Sequence, residues 1–200
     1  MQQFWDERYA APAFAYGTEP NVFLKAQLDG LTPGSILFPC EGEGRNAVYA
    51  ASLGWKVSAF DYSISGRNKA LMLANQQDVD LSYRIIQAEL ADYPENSFDA
   101  IALIYAHFEP ELRSKFHQRC VSWLKPGGRI IMEAFNPEQL LYFSGGPKNP
   151  EMLYTEKKLT DDFDTLQIEH LQTVTTELDE GPFHRGKAAV IQFTGIKPSM

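Results

Sequence analysis

The stretch ILFPCEGEGRNAVYAASLGWKVSAFDYS, residues 36–63, restricts the fold more than any other part of the chain. A short apolar run breaks at Gly42 and Gly44, a helical pattern of small residues follows, and a second apolar run ends in Asp61. Strand, glycine turn, helix and strand in close succession mark a βαβ unit with parallel strands. With Ala47 the glycines read G-x-G-x-x-A. Glycines there permit positive φ and close backbone approach, and they leave amide donors at a helix N-terminus. A tight structural turn needs the same residues. Asp61 ends the neighbouring strand, where a carboxylate can accept both hydroxyls of a ribose, and Tyr62 offers a flat face to an adenine ring. Glycine turn and aspartate together imply a nucleoside cofactor.

The pattern continues along the chain. Strands are predicted at Ser35–Phe38, Lys56–Phe60, Tyr83–Gln87, Phe98–Ile104 and Arg129–Ala134, with helices between them. Gly54 supplies the stop of the helix after the glycine turn, Ser63 caps the next one, and Pro110 opens a helix reaching Leu124. LKPGGRI turns the chain into the fifth strand. The tail offers two more strand-like runs, Leu166–Leu178 and Ala188–Ile196, joined by the hairpin chemistry of DEGPFHRG. The expected fold is α/β: a Rossmann-like three-layer sandwich, mostly parallel, with an antiparallel C-terminal hairpin at one edge. Residues 1–200 read as a single domain, with an aromatic N-terminal lid segment over 1–30 and a substrate-side loop over 136–165.

Composition excludes several partners. The net charge is −8 and no basic run exceeds Lys157–Lys158, so a nucleic-acid footprint is missing. No apolar stretch reaches the roughly 18–20 residues of a membrane span, and MQQFWDERY lacks the regions of a secretion signal, which predicts a cytoplasmic protein. Cys40 and Cys120 make neither a disulfide framework nor a metal motif, and no metal site is expected. Cys120 falls on the apolar face shared by Leu112, Phe116 and Leu124, as a core thiol would.

Dinucleotides and S-adenosylmethionine are both served by such a turn. Glu41 and Glu43 flank Gly42 here and would repel a pyrophosphate while favouring the ammonium of a methionine moiety. The blocks EGEGRNAVYAASLGWKVSAFDYS, SFDAIALIYAHF and LKPGGRIIMEAF, with FWDERY and YGTEPN, resemble class I S-adenosylmethionine-dependent methyltransferases. The resemblance is to the tellurite-resistance methyltransferase-like group and, more distantly, to thiopurine methyltransferases, over most of the chain.

That resemblance implies S-adenosylmethionine as cofactor and S-adenosylhomocysteine as product. Glu41, Gly42 and Gly44 would surround the methionine portion, with Arg45 and Asn46 completing the turn. Asp61 would hold the ribose, Tyr62 would pack on adenine, Glu89 and Leu90 would border its amino edge, and Tyr105 would stand beside the cofactor. The sequence departs from the family at the end of the first strand, where an acidic residue and a glycine are usual and Phe38, Pro39 and Cys40 stand instead. Glu41 is the candidate replacement.

A sulfonium makes its methyl group electrophilic, so the protein must align a nucleophile and exclude water, and an alcohol or amine would also profit from a general base. His107, after the fourth strand, is the catalytic candidate, and its structural alternative is an imidazole bonded to loop backbone. His184 on the hairpin turn could approach the same mouth, but reads first as a solvated loop histidine. Trp5, Tyr9, Phe14 and Tyr16, with Tyr142 and Phe143, could close as an apolar lid hinged at SGGP, although core packing accounts for each ring equally well.

The expected function is methyl transfer to a small molecule, with thiols and chalcogen compounds suggested by the resemblance, by a monomer or homodimer that binds neither nucleic acid nor membrane. An NAD(P)-dependent oxidoreductase and a non-catalytic nucleoside-binding protein are the alternatives.

Overall fold

A computed structural model describes residues 2–199. Its centre is a seven-stranded sheet in the order β3-β2-β1-β4-β5-β7-β6. The strands are β1 (Ser35–Pro39), β2 (Lys56–Asp61), β3 (Ser82–Ile85), β4 (Phe98–Ile104), β5 (Leu124–Phe135), β6 (Gln167–Asp179) and β7 (Arg185–Ile196). β1 to β5 are parallel, and β7 runs antiparallel to both β5 and β6. The sequence therefore foresaw the architecture, hairpin included. The fifth strand begins earlier than expected, at Leu124. Its KPGG segment is absorbed by a register shift against β4 and by backbone bonds between Gly127, Gly128 and Lys197.

Alternation along the strands sends side chains to two faces. Leu37, Ile101, Leu103, Ile130 and Met132 pack against α5 (Pro110–Trp123) and α6 (Glu156–Asp162), whose Phe116, Cys120 and Leu159 are buried there. Ile36, Phe38, Ala59, Ala100, Ala102 and Ile131 face α2 (Val22–Leu28), α3 (Arg45–Ser52) and α4 (Ile64–Gln76). Three layers result. Ser63 caps α4 by accepting the Gly66 amide at 3.0 Å, as expected, and a short N-terminal helix, α1 (Gln2–Tyr9), lies beside α4.

Strand order reverses between β1 and β4. In open α/β sheets the crevice beyond the carboxyl ends of the strands at such a switch point is where ligands bind. The glycine turn follows β1, Asp61 ends β2, and Tyr105 follows β4, so all three meet at that crevice.

Candidate active site

Three alternate residues of the turn after β1 have positive φ: Cys40 at 55°, Gly42 at 59° and Gly44 at 87°. Cys40 adopts a conformation that favours glycine, at the place where the resembled family has one. The two glycines are required for different reasons. A Cβ on Gly42 would lie 2.6 Å from the Tyr9 hydroxyl oxygen, and one on Gly44 would collide with the Ala70 side chain of α4. Gly44 therefore serves the close approach of α3 and α4, while Gly42 lies under α1.

Glu41 folds back onto the start of α3. Its Oε1 accepts the amides of Asn46 at 2.9 Å and Ala47 at 2.8 Å, bonds that satisfy two donors of the helix N-terminus. The Asn46 side chain also hydrogen-bonds this carboxylate, and the Arg45 charge acts on it. Burial outweighs the amide bonds and raises this carboxyl to about 7. Glu43 points elsewhere: it forms an ion pair with Lys69 at 2.7 Å and accepts the Ala15 amide at 2.8 Å, fixing the N-terminal segment. The expectation that both glutamates set the charge of the turn is corrected on this point, since the Glu43 charge is met by Lys69. Asn46 is buried and accepts the Asn21 amide at 2.9 Å, joining α3 to the start of α2.

Asp61 is buried at the crevice. One carboxylate oxygen accepts the Ser63 amide at 2.8 Å and the other the Gly42 amide at 3.3 Å. The Tyr62 amide bonds this carboxylate as well, and two oxygens with about four lone-pair sites leave room for a further donor. Burial, opposed by these amides, brings its carboxyl up to about 6. Tyr62 is half-buried beside it, and the charges of Asp61 and Glu89 both act on its hydroxyl and on the Cys40 thiol. Glu89 and Leu90 lie in the exposed turn after β3, with Leu90 67% exposed. An apolar side chain so open, next to a tyrosine ring and a carboxylate, suits the edge of a nucleobase site.

On the other side of the crevice stands a polar network that sequence reasoning missed. Glu133 in β5 accepts from Asn21 at 2.6 Å, from the Tyr105 hydroxyl at 2.9 Å and from Gln192 at 2.6 Å. Burial raises its carboxyl in spite of these three donors. Glu180, in the hairpin, pairs with Arg45 at 2.9 Å and accepts from Asn21 at 3.1 Å and from His184 at 3.3 Å. Burial works to raise this carboxyl, but the His184 bond and the Arg45 charge prevail and hold it at about 2. Arg45 is thus buried in this network. The one signal in the sequence was Glu133, a charge inside the apolar strand IIMEAF.

His107 does not reach this network. Its Nδ1 donates to the Met152 carbonyl at 2.8 Å and its Nε2 accepts the Phe135 amide at 3.3 Å. Burial lowers the imidazole to about 4. With both nitrogens bonded to backbone, His107 ties the loop after β5 to the strand and offers no lone pair to a substrate, which corrects its assignment as the catalytic residue. Two supposed lid residues also turn elsewhere. Phe143 is 98% exposed, and Phe14 packs with Val48 and Leu73. Trp5, Tyr9 and Tyr16 do form a ring cluster, which Tyr16 extends to Phe183 and His184 of the hairpin tip.

Residues 36–128, the stretch from the first strand to the KPGG segment, match a family model described as a methyltransferase domain. No curated protein sequence matches this chain. Among solved structures, one from work on the conversion of a disulfide bond into a thioacetal group during echinomycin biosynthesis superposes with a TM-score of 0.80 at 16% identity, covering 99% of this chain and 92% of its own. TehB from Haemophilus influenzae gives 0.73 at 16% identity over 98% of this chain and 66% of its own. A Burkholderia thailandensis 1,6-didemethyltoxoflavin-N1-methyltransferase with bound S-adenosylhomocysteine gives 0.63 at 20% identity, over 88% and 75%.

Fold and crevice define a Rossmann-like α/β protein with the glycine turn and Asp61 joined at the β1–β2 edge. Residues 36–128 match the methyltransferase-domain family, and the fold is shared with an S-adenosylmethionine-dependent methyltransferase of Methanosarcina mazei at 17% identity, so S-adenosylmethionine is the group the crevice must fit. The donor set fits that group: the Asp61 carboxylate lies at the crevice where a ribose diol would reach it, and Glu41 presents a half-buried carboxylate to a cation. When bound, the cofactor supplies a methyl group on a positively charged sulfur.

Proposed function

We propose that this enzyme methylates a small molecule whose nucleophile is a thiol or a related chalcogen. Asp61 holds the ribose, Tyr62 with Glu89 and Leu90 borders the adenine, and Glu41 meets the methionine ammonium in place of the acidic residue missing from the end of β1. The observation that carries this reading is the pair of carboxylates, half-buried Glu41 and buried Asp61, placed on either side of Gly42 at the switch point.

The acceptor side supports a sulfur nucleophile. It is bordered by the rings of Tyr16, Tyr105, Phe135 and His184, and polarisable sulfur packs well against aromatic edges. Its buried cation, Arg45, is already paired with Glu180, and Glu133 lies close by, while Arg8 at the rim donates to the Tyr16 hydroxyl and lies over the Phe183 ring. Two buried carboxylates beside a single, already paired buried cation would disfavour an oxyanion. The structural likeness to a protein connected with disulfide-to-thioacetal conversion is in keeping with sulfur chemistry on this fold.

The test is calorimetric titration of the full chain with S-adenosylhomocysteine, S-adenosylmethionine and NAD, alongside Asp61→Ala, followed by measurement of methyl transfer to thiophenol, phenol, aniline and selenite. Binding of the first two ligands, weakened in Asp61→Ala, with thiophenol as the preferred acceptor, is the expected result. Preference for NAD would overturn the cofactor assignment, and preference for phenol or aniline would overturn the acceptor class.

A further inference from the structure

The hairpin between β6 and β7 carries a histidine–carboxylate pair whose arrangement goes beyond packing. His184 is only 6% exposed, although it sits at a hairpin tip next to Phe183, which is 44% exposed. Its ring packs 4.5 Å from Tyr16 of the N-terminal segment, 4.5 Å from Tyr105 after β4 and 5.3 Å from Phe135 at the end of β5. The hairpin thereby lays an imidazole against Tyr105 and Phe135 beside the crevice, with its Nε2 edge toward Gly145 of the loop after β5.

Its Nδ1 lies 3.3 Å from Glu180 Oε2, and Glu180 is itself held by Arg45 and Asn21. Among the described residues no hydrogen bond reaches its Nε2. A carboxylate accepting at Nδ1 fixes the proton there and leaves Nε2 as a lone-pair acceptor. The other three histidines differ. His107 has both nitrogens on backbone, His117 lies in the core between Asp162 and Tyr154, and His170 sits within the β6–β7 ladder opposite Thr194.

The geometry points to His184 as the base that takes the proton of the methyl acceptor, with Glu180 as its positioning residue. This rests on the methyltransferase reading and narrows the acceptor to a nucleophile that arrives protonated, such as a thiol, and away from an oxyanion. In the step, the acceptor sulfur forms a bond to the methyl carbon as the bond from that carbon to the sulfonium breaks, and the released pair stays on the cofactor sulfur. The acceptor's proton passes to Nε2 of His184. The imidazolium then stands beside the Glu180 carboxylate until it returns the proton to water.

The charged and titratable groups around His184 are Glu180 on its own hairpin, Arg8 of α1, Tyr16, Arg45 of α3, Tyr105, Glu133 behind Tyr105, and His107. Burial lowers the imidazole below its ordinary value, with Glu180 opposing, so His184 is neutral near pH 7 and competent as a base.

The deciding experiment is nitrogen NMR of the full chain with isotopically labelled histidine and bound S-adenosylhomocysteine, the His184 signals being assigned with His184→Gln. A neutral ring protonated at Nδ1 is expected; a proton on Nε2 in the neutral form overturns the proposal whether or not an acceptor has been found. With thiophenol, His184→Gln should lower kcat by about 10²- to 10⁴-fold while S-adenosylhomocysteine affinity stays within about twofold. Glu180→Gln should move the acid limb of the kcat/KM profile to lower pH, because the imidazolium loses its carboxylate, a shift that a purely structural role would not produce. An unchanged kcat in His184→Gln overturns the proposal, as does methylation of selenite at a rate insensitive to that change. Failure of the wild-type chain to bind S-adenosylhomocysteine would instead overturn the methyltransferase reading.

Discussion

Tyr9 and Gly42 lie in such close contact that a methyl group on Gly42 would stand 2.6 Å from the tyrosine hydroxyl. The N-terminal helix and the cofactor turn are therefore fitted to each other. Gly42→Ala meets two obstacles, the positive φ of 59° and the buried Tyr9 ring. Strain at such a φ costs about 1–3 kcal/mol. We expect Gly42→Ala to lower Tm and to weaken S-adenosylhomocysteine binding. In a Tyr9→Ala background the steric part should vanish and the backbone part remain, so a double-mutant cycle should give a coupling energy of about 0.5–3 kcal/mol. Strict additivity would mean that the contact is not felt.

His107 makes the opposite kind of expectation. Because its nitrogens join the Met152 carbonyl to the Phe135 amide, His107→Leu leaves both backbone groups without partners. Each unsatisfied buried group costs about 1–3 kcal/mol. Denaturant unfolding should register that loss, whereas the acid limb of kcat/KM should keep its wild-type position. A limb that disappeared with stability intact would restore His107 as the base.

Arg45 and Glu180 bind α3 to the hairpin across 135 positions of sequence with both side chains buried. Removing one partner leaves a buried charge, a loss of about 3–5 kcal/mol, whereas replacing both by apolar residues is often close to neutral. Arg45→Met should therefore be strongly destabilising by denaturant unfolding, and the double variant Arg45→Met with Glu180→Leu should recover most of the loss. Equal instability of the single and double variants would show that the pair matters chiefly for its other hydrogen bonds.

The sheet was legible because its signals are local. Alternation, the glycine turn and the Ser63 and Pro110 helix starts lie within a few residues of the structure they determine. The site was legible only in its first half, where Glu41, Gly42 and Asp61 come from one βαβ unit. Glu133, Glu180, Asn21 and Arg45 meet through contacts separated by 112, 159 and 135 positions, and no local pattern announces such a meeting. His107 misled for a related reason. Its place at the end of β4 was read correctly, but what its nitrogens touch depends on Met152, which follows a long connection from β5. His184 was read as solvated because hairpin tips usually are. Tyr16 and Tyr105, from distant parts of the chain, bury it.

Glu41 gives the sharpest pH dependence. Its carboxyl rises from an ordinary 4.5 to about 7 in the folded chain, through burial. Between those values the native state holds a proton that the unfolded state has released, so stability without ligand falls as pH rises through that window and levels off above it. Asp61, brought from 3.8 to about 6, acts in the same direction. Glu180, held at about 2, acts oppositely: the stability it contributes is present above its unfolded value and is lost as pH falls toward 2. Glu41→Gln removes only the first contribution. The ligand-free variant should match wild type at about pH 4.5 and exceed its Tm increasingly up to about pH 7. Binding reverses the preference, because an ammonium needs the ionised carboxylate. Wild-type affinity for S-adenosylhomocysteine should rise with pH up to about 7, while that of Glu41→Gln should be flatter and weaker by about ten- to a hundredfold. If calorimetry gave the two proteins equal affinity at every pH, Glu41 would be a helix cap alone, and the methionine ammonium would have to find its partner elsewhere in the crevice.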